Sequence, residues 1–437
     1  ASSNNQTATT TKILPSKGVP YTLTIEQMPF TLPSGIHSGV SGVFEGKWLF
    51  LAGRTNGLHH FDNNDDNFPP SSQNTTVYVV DPIAQTVVTR SLTDAQSGLT
   101  QHQIDLLSVT SPQSYQKDDT IYMTGGYGVD TNSGLFSTKD ALTAIDIPGL
   151  MEWVLNPSSD LTAAASIRQI FNPVFKITGG FMTQIGSQPT MLVFGQNFQG
   201  FYHDESNGDY SQQIRRFNIY DDGQNLSVFV FDSKPSEQNP DYRRRDLNVV
   251  PSIKSVQGAP IQCLVAYSGV FTIPGGAWTV PVVISQNGNS FEKNANAPDA
   301  FKQGMNNYVC PTVGLYSQKK QRMLTSFLGG ISYGFYSGGV FQTDEELPFI
   351  NQVTTIQFDS KSRFSQYLME GEYPVILSTG SNPGNQLLFG AGAFYMNADG
   401  LPMYPNQVIK FDSLKKKTAT TVGYVVGGIM STLPNTV

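Results

Sequence analysis

Short apolar runs that each end on glycine recur along this 437-residue chain: WLFLAG at Gly53, TIYMTGG at Gly125, TMLVFG at Gly195, LVAYSG at Gly269, LTSFLGG at Gly329 and LLFGAG at Gly390. Their spacing is roughly 60 to 75 residues. A period of that size marks a chain built from one supersecondary unit repeated side by side, because a single unit cannot bury its faces alone. The runs are short and rich in β-branched and aromatic residues, so each reads as a strand. Helical periodicity is nearly absent. The best stretch for it, DALTAIDIPGLMEWVL at 140–155, is broken by Pro148 and Gly149 and fits strand, turn and strand at least as well.

A second signal follows each run. GLHH at Gly57 corresponds to GLFS at Gly134, GFYH at Gly200, GAWT at Gly276, GFYS at Gly334 and GAFY at Gly392. His59 and His60 therefore stand in a slot that other repeats fill with aromatic, Ser, Thr or His residues, and their first reason is structural. After a loop of variable length comes a further strand that often closes on Asp, as at Asp81, Asp146, Asp359 and Asp412, and then a tight turn into another strand.

Strand, glycine pair, long loop, strand, turn and strand, with the double glycines of MTGG and FLGG, resembles the kelch repeat. The chain from about residue 21 to 430 resembles a six-bladed kelch β-propeller of the galactose-oxidase-like class, all-β with four-stranded antiparallel blades. IPGGAWTVPVVIS in the fourth unit departs from the pattern by lacking the closing Asp. The resemblance implies blades at roughly 37–92, 103–155, 167–232, 247–293, 306–369 and 373–422, in a single domain over 21–437 behind a flexible tail at 1–20. Either YTLTIEQM at 21–28 or GYVVGGIMS at 423–431 would supply the strand that closes the ring.

In such a fold the loops from second to third strand share one rim with the links between blades, and the resemblance makes that rim the ligand face. The longest loops here are of this kind, LHHFDNNDDNFPPSSQN among them. They and the links nominate His37, Arg54, His59, His60, Asp105, Tyr202, His203, Asn248, Trp278, Tyr336 and Tyr395 as ligand-binding residues. Aromatic faces with fixed donors and acceptors suit sugars, and they suit a protein loop equally well.

Other chemistries find less support. The net charge of −7 with scattered Lys and Arg offers no broad basic face for nucleic acid. DNNDDN provides oxygen ligands of the calcium type but lacks the order of an EF-hand loop, and Asp/Asn-rich turns are far more often only turns. Galactose-oxidase-like copper chemistry needs two His and two Tyr ligands, yet no His follows His203. No GxSxG elbow sits where a strand-to-helix turn would use it, and no carboxylate pair stands out. No cofactor is called for.

Charged residues make up 14%, with Ser, Thr, Asn, Gln and Gly filling polar positions, which points to a secreted, periplasmic or cell-surface protein, and the polar start without Met looks like a processed one. The longest apolar run, VGYVVGGIM, is about half a membrane span. Cys263 and Cys310 are either paired or two buried thiols, and sequons stand at Asn5, Asn74 and Asn225. The reading is a binding or scaffold module that recognises a glycan or a protein partner through the decorated rim. The alternative is a sugar-converting enzyme, such as a mutarotase or epimerase of the sialic-acid type on a kelch propeller.

Overall fold

The structure, a computed structural model, describes residues 12–203 and 206–435. Strand dominates. The chain divides into two compact units, one holding the chain up to Met28, Ile185–Gln188 and the chain from Asp246, the other holding Pro29–Gln184 and Pro189–Arg245.

The Pro29–Arg245 unit contains three sheets of four antiparallel strands in simple up-and-down order. The first runs through Val40–Phe44, Lys47–Leu51, Thr76–Asp81 and Thr86–Ser91. The second uses Gln113–Lys117, Thr120–Thr124, Ala141–Asp146 and Ile167–Phe171. Phe181–Thr183, Thr190–Val193, Ile214–Asp221 and Leu226–Lys234 make the third. The inner strands are apolar throughout because both faces are covered: Leu49, Phe50 and Leu51 are fully buried, whereas the last strand of the first sheet is largely exposed. Val79, Ile121 and Trp153 belong to one core that joins the first two sheets, and Leu142, Met182 and Phe217 to one that joins the second and third.

The other unit repeats the design. Asn248–Val256, Ala259–Tyr267, Val282–Ile284 and Ser290–Glu292 form one sheet. Thr312–Ser317, Arg322–Leu328, Gln352–Phe358 and Phe364–Glu372 form the next, which gains Leu14–Pro15 and Ile409–Lys410 as parallel edge strands. Phe394–Asn397 pairs with Gly423–Val426. Thus the segment near 423–431 does pair, while residues 21–28 form no strand. The first eleven positions of the tail expected at 1–20 lie outside the described residues; beyond them, Leu14 pairs with Tyr367 and Val19 is buried.

Five of the six glycine-ended runs terminate in two consecutive left-handed residues, the exception being the run at Gly390. The φ values are 57° and 83° at Ala52-Gly53, 60° and 82° at Gly125-Gly126, 57° and 80° at Phe194-Gly195, 52° and 101° at Ser268-Gly269, and 69° and 86° at Gly329-Gly330. The first position lies in the left-handed well that an L residue enters at modest cost, so Ala, Phe and Ser occur there. At the second, φ is wider and only glycine occurs. That glycine's N–H then reaches the next stretch of chain: Gly53 donates to Val109, Gly126 to Ile177, Gly195 to Arg244 and Gly330 to Phe389. Amide side chains reinforce the junctions. Gln116 exchanges two hydrogen bonds with the Val43 backbone, and Gln366 binds the backbone of Gly304 and Met305.

Two elements depart from the sequence reading. Residues 147–155 are a helix, Ile147–Leu155, in place of a turn and strand. Pro148 sits in its first turn, where a missing N–H costs nothing, and Asp146 caps the Gly149 N–H at 2.9 Å. Gln101–Leu107 is also helical, started by a capping box between Thr100 and Gln103. The repeated Gly-aromatic signal does not mark one structural position either. GFYS opens a small ribbon at Gly334–Ser337, GLFS turns into the second strand of another at Leu135–Thr138, and GLHH lies in a loop without strands, because the insertions between second and third strands differ in length.

Cys263 and Cys310 are free, and burial pushes each thiol up to about 12. Asn74 is buried with its amide nitrogen bonded to the Ala52 and Thr76 carbonyls, so this sequon cannot carry a glycan in the folded state. Two outcomes are expected. Gly195→Ala should lose about 4 kcal/mol in urea denaturation, since a Cβ there meets Ile177 and the Thr178 carbonyl, whereas Gly134→Ala, left-handed but with open space around it, should lose only about 1–2 kcal/mol. Equal losses would show that the close approach is not what selects glycine. A thiol reagent at pH 8 should modify neither cysteine until denaturant is added; rapid modification of both would contradict their placement.

Candidate site around Arg54 and His59

The turn at Gly53 sends the chain directly into Arg54, whose backbone pairs both ways with His37 at 3.0 Å. A Cβ on Gly53 would overlap the His37 carbonyl, so the bare glycine lets these segments close and carries the Arg54 side chain inward. Arg54 is only 2% exposed, and its guanidinium carbon lies 4.4 Å from the centre of the Phe68 ring. His59 stacks on the same ring at 4.5 Å and 27°, with Phe61 at 4.4 Å and the edge-on ring of Tyr202 at 4.9 Å. The ribbon Tyr127–Asp130 with Leu135–Thr138 supplies Tyr127 and Phe136, which with Phe198 complete an apolar cluster against Phe68 and Tyr202. All of these residues belong to the Pro29–Arg245 unit.

Hydrogen bonds fix the tautomers. His37 Nε2 lies 2.7 Å from the Asn56 carbonyl and must donate to it, which leaves Nδ1 to accept from the Ser38 hydroxyl at 3.0 Å. His59 Nδ1 donates to the His60 carbonyl at 2.8 Å, so Nε2 keeps a lone pair. Burial, helped by the charge on Arg54, pushes His37 down to about 4. His59 is held at about 3, again chiefly by burial, with Arg54, Arg245 and His37 adding to the effect. Both imidazoles are neutral at neutral pH. Arg54 is lowered by burial to about 10 and stays charged.

The polar groups here are incompletely matched. Asn67 spends its Nδ2 on the carbonyls of Asp62 and Tyr202, and Arg245 Nη2 donates to the Tyr202 hydroxyl at 3.0 Å. Among the described residues, however, Arg54 Nη2, Asn56 Oδ1 and Asn67 Oδ1 are buried without a hydrogen-bond partner. Two acceptors and one charged donor are left over within a stretch of fourteen residues, 54–67.

The nominated residues sort unevenly. His37, Arg54, His59 and Tyr202 converge. His60 is exposed and contributes its carbonyl. His203 pairs with Asp65 at 2.8 Å on the outer side of the loop, and Asp62 turns its carboxylate to Asn64. Asp105 is buried and spent on Thr131 and Gln101, tying the helix Gln101–Leu107 to the adjoining ribbon. The remaining four lie in the other unit. Asn248 is committed to the Asn307 carbonyl and to Cys310, Trp278 is buried, Tyr336 is clamped through its backbone by Gln352, and the Tyr395 hydroxyl donates to the Val422 carbonyl at 2.9 Å. Sequence reasoning missed Phe68, Asn56 and Asn67, which carry no local signal beyond membership of the loop. Among the described residues no three His, Cys, Asp or Glu converge as a metal site.

No protein-family model matches the chain, and no curated protein matches it. Among the 138 solved chains that do match, one is titled "Structure of YjhT", 13% identical, with a TM-score of 0.43 over 83% of this chain and 92% of that chain.

The depressed histidines set a pH dependence. Their folded values lie below the ordinary one near 6.5, so the unfolded chain takes up the protons first; the stability they support is complete above about 6.5 and is lost as pH falls toward 4. For His37 the slope in that window should be about 1.4 kcal/mol per pH unit, and His37→Asn should remove it. Imidazole Cε1–H resonances of His37 and His59 should stay fixed from pH 8 to 5. Titration of either near 6.5 would contradict the enclosed, neutral site.

Proposed function

We propose that the chain is a six-bladed kelch-like β-propeller that acts outside the cytoplasm on a sugar-class ligand, and that it is a sugar-converting enzyme of the mutarotase or epimerase kind rather than a scaffold with an exposed rim. The observation that carries this reading is the set of unmatched polar atoms at Arg54, Asn56 and Asn67, framed by Phe68 and Tyr202. A polyhydroxylated ring brings both donors and acceptors, and its apolar face stacks on aromatic rings.

The enzyme reading is supported by where the aromatic side chains lie. A docking module would display them to solvent, whereas Tyr127, Phe136 and Phe198 are buried and only Phe61 and Phe201 at the edge of the cluster are exposed. His59 adds a reactive atom: its Nε2 lone pair faces no hydrogen-bond partner among the described residues, and Nδ1 is locked by the His60 carbonyl. Such a nitrogen would take the proton of the anomeric hydroxyl as the bond from the anomeric carbon to the ring oxygen breaks and the ring oxygen gains a proton from solvent. The ring hydroxyl then adds to either face of the carbonyl, losing that proton to solvent while the nitrogen returns its own to the anomeric oxygen. Its low basicity in the empty site would rise when ligand screens the neighbouring cations.

Polarimetry or exchange NMR on a panel of reducing sugars should show faster anomer interconversion with the protein. His59→Phe, which keeps a ring to stack on Phe68, should cut that acceleration by about a hundredfold. Binding without acceleration for any sugar would return the reading to a glycan-recognising module, and binding only to a protein partner would remove sugars altogether.

A further inference from the structure

The loop site holds a positive charge that no described carboxylate or hydrogen-bond acceptor matches. Other buried or partly buried arginines in the same unit spend their guanidinium groups on acceptors. Arg90 donates to Asp94, Gln96 and the Trp153 carbonyl, Arg168 holds Asp221 through two nitrogens, and Arg215 reaches the Val174 carbonyl. Arg54 is 2% exposed, makes no side-chain hydrogen bond to any described residue and has no described carboxylate beside it. Its described titratable neighbours offer no counter-charge: His37 and His59 are neutral, and Arg245 is a second cation. The stack on Phe68 draws on the charge and returns part of the cost of burying it, but a ring face supplies neither a counter-ion nor a hydrogen-bond acceptor for Nη2. An uncompensated buried charge is costly, and a fold that keeps one in a loop of unmatched polar groups is complete only with its counter-ion.

Resting on the sugar reading above and extending it, we propose that Arg54 is the receptor for a single oxyanion group on the ligand, a carboxylate or a phosphate or sulfate ester, which seats against its unpaired Nη2 beside His59. The guanidinium fork matches such groups through parallel N–H donors, and enclosure by Phe68 and Tyr202 keeps water from competing. The unmatched amide oxygens of Asn56 and Asn67 accept from the ligand's hydroxyls rather than from the anion, since two acceptors cannot face a negative charge. Anion and proton are then coupled. A negative charge at Arg54 offsets the cation that helps hold His59 neutral, so the bound state favours proton uptake at Nε2 more than the empty one does.

Calorimetry at constant ionic strength on glucose, glucuronate, glucose 6-phosphate, acetate and sulfate tests this. At least one charged sugar should bind about tenfold or more tightly than glucose, and that charged-over-neutral ratio should fall to near one in Arg54→Met, which keeps the stem against Phe68. Glucuronate favoured over the phosphate would identify a carboxylate; the reverse would identify an ester. Equal binding of glucose and the charged sugars overturns the anion inference and leaves the sugar reading standing. Acetate or sulfate bound through Arg54, with no sugar bound, keeps the anion inference and overturns the sugar reading. No binding by any member overturns both. If Arg54→Met does not fold, the wild-type protein decides: the His59 Cε1–H resonance at pH 5 should move toward the protonated position on adding acetate or sulfate, and an unmoved resonance overturns the proposal.

Discussion

The pair of left-handed residues at the end of each second strand is the constraint on which the rest depends. Two consecutive residues at positive φ turn the chain sharply and expose the second N–H, which then binds a carbonyl beyond its own sheet: Gly53 to Val109, Gly126 to Ile177, Gly330 to Phe389. The bond forms only because no Cβ intervenes. At Gly329 a side chain would overlap the Phe389 carbonyl, and at Gly390 it would overlap that of Leu328. One short backbone contact per junction thus sets how closely successive sheets stack, and the large apolar residues of the inner strands fill the space so defined.

That constraint was legible in sequence because it acts on residue type at a single position. Glycine stands at the second member of each pair, while Ala52, Phe194 and Ser268 show that the first admits a side chain in three of them; in MTGG and FLGG the first position also crowds a carbonyl, of Ile177 and Phe389, and glycine takes both places. Strand identity was legible for the same reason, through unbroken apolar runs. The helix Ile147–Leu155 was not. Pro148 and Gly149 break structure inside an element but start a helix when an Asp precedes them, and only the burial of Leu150, Met151, Trp153 and Val154 at helical spacing separates the two readings. The capping pair Thr100 and Gln103 was available in the sequence and is a plainer signal than the apolar pattern of the helix it starts.

The candidate site was legible only in outline. Arg54 and the two histidines stood out as polar residues in an aromatic loop, yet the sequence could not distinguish His59 from His60. The distinction arises from Phe68, nine residues on from His59, and from Tyr202, far along the chain, which enclose one ring and leave the other in solvent. Asp105 and Asn248 looked equally suitable by residue type. Each proves to be fully engaged in holding a helix or a strand junction, as buried polar side chains usually are. What sets Arg54, Asn56 and Asn67 apart is that their partnerless atoms fall together in one loop beside aromatic rings, a property of the folded state that no local pattern encodes.

The fold and the site meet at Gly53. Without a side chain there, the His37 and Arg54 segments approach closely enough to exchange two backbone hydrogen bonds, and in that pairing the Arg54 side chain is buried. The same turn that stacks sheet on sheet therefore places a cation among aromatic rings. Once Arg54 is there, its charge works against protonation of His37 and His59, and burial works in the same direction, so the loop holds two neutral imidazoles beside one fixed positive charge. In the proposed reading the site is arranged before a ligand arrives: its donor is charged, the imidazole Nε2 keeps its lone pair, and Nδ1 is held by the His60 carbonyl. On the proposal made here, the stability given up in burying that charge is what an anionic ligand would restore.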